Sequence, residues 1–109
     1  MANTFKLKTK ANVGVTTVGI YTAPAATTTV VIGITMANTS GSGDNVGVGI
    51  TRAGTTEDVK LLKNAPIPQG SSLEFMGGNK VVLETTDTLT VDSDTNNSVD
   101  AALTIMEIT

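Results

Sequence analysis

Apolar residues recur at every second position through much of this 109-residue sequence, the spacing that puts side chains on one face of a pleated strand. The densest run is residues 80–109, where Val81 and Leu83, Leu89 and Val91, and Leu103 and Ile105 mark three strands. Glu84-Thr85-Thr86-Asp87 and the polar stretch 92–100 separate them; both are rich in residues that bond their own backbone and leave the strand state. The pattern predicts a three-stranded antiparallel meander. A meander cannot bury its inner face alone, so the rest of the chain is expected to supply a second sheet.

Upstream the same alternation continues. Residues 4–10 place Phe5 and Leu7 on one face and Lys6, Lys8 and Lys10 on the other, which predicts a strand with its lysines in water. Residues 15–22 carry Val18 and Ile20 on one face with Tyr21 opposite, and Ala23-Pro24-Ala25-Ala26 ends that strand. Residues 27–38 hold Val30, Ile32, Ile34 and Met36 in phase; their β-branched density favours a central strand over a helix. Val46, Val48 and Ile50 then alternate with Gly47, Gly49 and Thr51. Glycines at alternate strand positions predict a close approach, by the fold itself or by a neighbouring subunit.

Ala53-Gly54-Thr55-Thr56 predicts a hairpin into residues 59–62, and Asn64-Ala65-Pro66-Ile67-Pro68-Gln69-Gly70 a crossover between sheets, a Greek-key feature. Leu73 and Phe75 are expected to point inward, with Gly77-Gly78-Asn79 turning the chain into the final run. About eight short strands make an all-β, antiparallel sandwich in a single domain spanning 1–109, with a possible N-terminal arm at 1–12.

Composition narrows the chemistry. Histidine and cysteine are absent, which removes the usual general base, the usual zinc ligands and any thiolate nucleophile. A net charge of −3 offers no footprint for a phosphate backbone, so nucleic acid is not an expected partner. No run approaches the length of a transmembrane helix or resembles a signal peptide, which predicts no membrane partner and a chain made in the cytoplasm.

Asp92-Ser93-Asp94-Thr95-Asn96 opens like a calcium loop, with Asp100 nearby, but position six is Asn97 where glycine is needed and position twelve is Leu103 where a glutamate is needed. It reads as a solvated turn, and a weak ion site at Asp92 and Asp94 stays open. The remaining carboxylate pairs lack the aromatic platforms of a glycoside hydrolase, since Phe5, Phe75 and Tyr21 are the whole aromatic stock. No catalytic, cofactor or metal residue is assigned.

The segments Ala65-Pro66-Ile67-Pro68-Gln69-Gly70-Ser71-Ser72-Leu73, Lys80-Val81-Val82-Leu83-Glu84-Thr85-Thr86-Asp87 and Met106-Glu107-Ile108-Thr109, with Met1-Ala2-Asn3-Thr4-Phe5 and Tyr21-Thr22-Ala23-Pro24, resemble small virion structural proteins of tailed bacteriophages, particularly marine and cyanobacterial ones. The resemblance implies a non-enzymatic, Ig-like sandwich built into the virus particle. It leaves the position in the particle open; the basic, alternating N-terminus on an otherwise acidic domain points first to a capsid decoration or cement protein that binds major capsid subunits, with neck, tail or fibre-adaptor components as the alternative. A host-surface carbohydrate-binding module is a further reading, with Tyr21 as its candidate ring. The expected partners are the major capsid protein or other virion proteins, in a homo-oligomer or lattice. The residues expected to touch them are Phe5, Lys6, Leu7, Lys8 and Lys10, as an added strand or basic strap, together with Gly47 and Gly49.

Overall fold

A computed structural model describes residues 3–75 and 80–109. The chain forms nine strands: β1 (Asn3–Val13), β2 (Val18–Thr22), β3 (Thr28–Asn38), β4 (Asp44–Arg52), β5 (Glu57–Ile67), β6 (Ser72–Phe75), β7 (Val81–Leu83), β8 (Thr88–Ser93) and β9 (Val99–Ile108). One sheet, sheet A, runs β1-β9-β3-β6 with β7 also on β3; the other, sheet B, runs β2-β8-β4-β5. All pairs are antiparallel. The inner faces bury Val31, Ile34, Met36, Leu103 and Ile105 against Val46, Val48, Leu89 and Val91.

The pairing is nested. The β4–β5 hairpin sits inside β3 with β6 and β7, these inside β2–β8, and these inside β1–β9. That ribbon, folded into two sheets, is a jelly roll, a sandwich built from two Greek keys. It differs in strand order from the immunoglobulin arrangement that the phage resemblance implied. Strands β6 and β7 lie along different stretches of β3, against Ile34–Ala37 and Thr29–Val31, and so share one strand's place. The turn expected at Gly77-Gly78-Asn79 falls outside the described residues.

Four expectations need correction. The meander is absent: β7 and β9 belong to sheet A and β8 to sheet B. Its breaks cross between sheets, because a polar turn says only that a ladder stops. At the first break Glu84 O accepts from Asp87 N at 3.0 Å, Thr86 takes φ 69°, and Thr86 N and Asp87 O bond to Ala23. Arg52 reaches both Glu84 and Asp87, at 3.0 and 3.3 Å.

Strand β5 continues through Pro66, which is tolerated because β5 is the edge of sheet B and the missing N–H costs no ladder bond. The crossover is confined to the turn closed by Ser71 N on Pro68 O. In β3 a bulge between Val31 and Gly33 switches the phase, so Val31 is buried with Ile34 and Met36 while Val30 and Ile32 are half-exposed. A bulge between Gly19 and Tyr21 likewise turns Tyr21 into the core alongside half-buried Val18 and Ile20.

Gly47 and Gly49 are both buried. A Cβ at Gly49 would lie 2.9 Å from Val59 O and 3.2 Å from Thr90 Oγ1, and one at Gly47 would lie 2.5 Å from Asp92 Oδ1. The bare backbone of β4 lets Lys60 of β5 reach across to Asp92 of β8, 3.6 Å away. Gly49→Val is therefore expected to lower stability by about 1–3 kcal/mol through overpacking against backbone. An unchanged denaturation midpoint would contradict this packing.

Candidate docking face

Strand β1 pairs along its length with β9, so residues 3–13 are an edge strand of sheet A in this protomer. The register decides which way each side chain points. Lys6 stands opposite Ile105 and Phe5 opposite Met106. Ile105 is fully buried, so Lys6 faces the sandwich interior and Phe5 faces out. The facing is thus inverted: Phe5 is 68% exposed and Leu7 65% on the outer side, while the lysine stems leave from the inner side with Lys6 and Lys10 still exposed to water.

A carboxylate explains the inversion. Glu107 continues the inward series Leu103 and Ile105 on β9 and is 7% exposed. A buried carboxylate needs a cation or several donors. Lys6 Nζ lies 2.8 Å from Glu107 Oε1, and Tyr21 OH donates to Oε2 at 2.6 Å. Having spent its one proton there, the Tyr21 oxygen accepts from Thr29 Oγ1 at 2.8 Å. Lys8 Nζ stands 6.0 Å from the Tyr21 ring centroid. The lysine stems close the side of the sandwich between β1 and β2 while their charges stay near water. Tyr21, the ring considered as a sugar platform, is 7% exposed and spent inside this network.

Lys6 first, then the Tyr21 hydroxyl, hold the Glu107 carboxyl below the ordinary carboxylate range. Burial, with the bond to Glu107, pushes Tyr21 up to about 12. A depressed acid stabilises the fold above its unfolded pKa and loses that contribution as pH falls through the folded value. Wild-type protein is expected to be more stable than Glu107→Gln at pH 7, with the gap closing below about pH 4. Tyr21, raised in the folded state, contributes below pH 10 and loses that contribution between 10 and about 12. Denaturant midpoints of wild type and Glu107→Gln across pH check this; a gap that did not shrink as pH falls below about 4 would contradict it.

With the lysines turned inward, the outer face of sheet A is left apolar. Phe5, Met106, Val30 and Val82 stand opposite one another in a single row across β1, β9, β3 and β7. Val82 is 53% exposed. Leu7, beside Thr104, and Ile108, beside Asn3 and Thr28, flank that row. Toward the other end the side chains become small, with Thr9, Ala102, Thr35 and Ala37 around a shallow groove of about 340 Å³. Charge on this face comes at that far end, from Asp100 and Glu74. The outer face of sheet B differs, carrying the Lys60–Asp92 pair with Thr17 bonded to Asp92 at 3.0 Å.

Of the residues expected to meet a partner, Phe5 and Leu7 fall on this face. Lys6 and Lys8 lie on the opposite side of β1, and Gly47 and Gly49 lie in sheet B. Val30, Val82, Met106 and Ile108 were missed. For Val82, Met106 and Ile108 the signal was present in the sequence, since each alternates with a core position on its own strand; Val30 gave none, because the bulge after Val31 hides its phase. The aspartates of the calcium-like loop are not brought together: Asp92 meets Lys60 and Thr17, Asp94 accepts from Asn45 N, and Asp100 from Asn12 N. No group of three or more acidic side chains suited to a metal occurs among the described residues.

No family model and no curated protein matches the chain. Solved structures do match in fold. A chain of the infectious bursal disease virus T13 particle superposes with TM-score 0.59 at 14% identity, over 96% of this chain and 30% of its own length. A subunit of Bacillus endospore appendages, described as disulfide-linked pili, gives 0.57 at 15% identity, over 99% and 87%. A chain of the cyanophage Pam1 capsid asymmetric unit gives 0.54 at 14% identity, over 95% and 85%. At these identities the likeness is one of fold alone.

Proposed function

We propose that this chain is a non-enzymatic structural subunit of a bacteriophage particle, a decoration or cement protein seated on the major capsid shell through the outer face of sheet A. The carrying observation is the outward row Phe5, Met106, Val30 and Val82 with Leu7 beside it, an apolar surface on a chain that has an ample core of its own. Contiguous exposed apolar surface of this kind marks interaction sites. The fold match to a Pam1 capsid chain of similar size, and the phage-like segments of the sequence, support a virion as the setting. The chain would be made in the host cytoplasm and end in the particle, against major capsid or other virion proteins.

The appendage match supports a second reading, a subunit of a ring or filament such as a neck, tail or fibre component. This chain contains no cysteine, so any filament it forms is held without disulfides. Copy number relative to the major capsid protein, measured by quantitative mass spectrometry on purified particles, separates the two. Abundance comparable to the capsid protein is expected. A small fraction of it would move the protein to neck, tail or fibre, and absence from particles would overturn the virion reading.

A further inference from the structure

The loop from the end of β3 to the start of β4 holds more buried acceptors than donors. Asp44 is 2% exposed. Its Oδ2 lies 2.9 Å from Ser40 Oγ, while its Oδ1 has no hydrogen-bond partner among the described residues. Ser40 Oγ carries one hydrogen, yet it also stands 2.8 Å from Asn38 Oδ1 and 2.8 Å from Ser42 O. Three acceptors therefore compete for a single proton.

Several neighbouring donors are engaged elsewhere. The Asn38 amide gives its two hydrogens to Ser42 O at 2.8 Å and Ile67 O at 2.9 Å. Ser40 N donates to Asn38 Oδ1, and Ser42 N to Ser40 Oγ. Among the described residues no lysine or arginine pairs with Asp44. A buried carboxylate with one oxygen unmet and the other sharing a hydroxyl is expensive unless something positive meets it. The same arrangement leaves Asn38 unusable as a glycosylation acceptor in the folded protein, since it is buried with both amide hydrogens bonded.

We propose that this loop binds a hard divalent cation of the calcium type, held by the Asp44 carboxylate with loop oxygens of Ser40 and Ser42, water completing the shell. Carboxylate, hydroxyl and carbonyl oxygens on one short loop suit calcium's irregular coordination. The exposed residues Gly41, Ser42 and Gly43 give it a route from solvent. A single carboxylate predicts weak binding, with Kd of about 10⁻⁴–10⁻³ M.

The test is thermal unfolding of chelator-treated full-length protein titrated with calcium chloride, beside the Asp44→Asn variant. Wild type is expected to gain about 5 °C at a tenfold excess over Kd, rising with the logarithm of calcium concentration beyond it, and Asp44→Asn to gain nothing. Because Asp44→Asn keeps shape and removes an unmet charge, it is expected to fold; calorimetric titration of the wild type gives an independent readout. No shift and no heat at 10 mM calcium, or an equal shift in both proteins, would overturn the proposal.

Discussion

Replacing Phe5 and Leu7 together by aspartate is expected to strip the protein from its particle while leaving its fold in place. Both side chains are about two-thirds exposed, so the free protein should lose no more than about 1 kcal/mol of stability for the two together. In the docked state each would bury most of an apolar side chain, worth roughly 1.5–3 kcal/mol apiece. Losing both predicts a fall in affinity of roughly two to four powers of ten, before the cost of burying two carboxylates. Retention on particles, quantified against the major capsid protein, checks the first half, and a denaturation curve checks the second. Full retention would remove the face from the account, and a collapsed denaturation midpoint would mean that β1 is turned the other way.

Leu103→Ala is expected to do the reverse. Leu103 lies at the centre of β9, between Lys8 of β1 and Ile34 of β3 in the ladder, and is fully buried. Truncation there leaves a cavity between two sheets and costs about 2–5 kcal/mol. That is a large share of the roughly 5–15 kcal/mol available to a domain of this kind. The pair of substitutions separates two leucines that the alternating pattern treats alike, Leu7 and Leu103. Equal stability losses at both sites, measured by denaturant midpoint, would contradict the inward lysines.

Alternation was enough to identify the strands and the two-sheet class, because period two survives any choice of partner strand. It could not say which face of β1 goes inward. Phe5 and Leu7 against three lysines looks unambiguous when the strand is taken alone. The decision is made by Glu107, about a hundred residues later, whose position in phase with Leu103 and Ile105 puts a carboxylate where Lys6 and Tyr21 satisfy it. That signal was legible in β9 but has meaning only once β1 is known to pair with it.

Bulges were the second blind spot. One extra residue at Val31/Gly33 and another at Gly19/Tyr21 switch the inward set of β3 and β2, and local pattern gives no warning of a phase change. The turn chemistry of Glu84-Thr85-Thr86-Asp87 was read correctly as a break. Its bonds to Ala23 and Arg52, which carry the chain into the other sheet, depend on segments distant in sequence. The docking face combines both effects: its row crosses four strands, and its members come from residues 5, 30, 82 and 106.

Site-specific photocrosslinking reads directly whether this face meets the particle. A photoreactive phenylalanine analogue at position 5, on the outer face of sheet A, is compared on assembled particles with the same group at position 60, in sheet B. A crosslink to the major capsid protein is expected from position 5 and none from position 60. A crosslink from position 60 alone would contradict it.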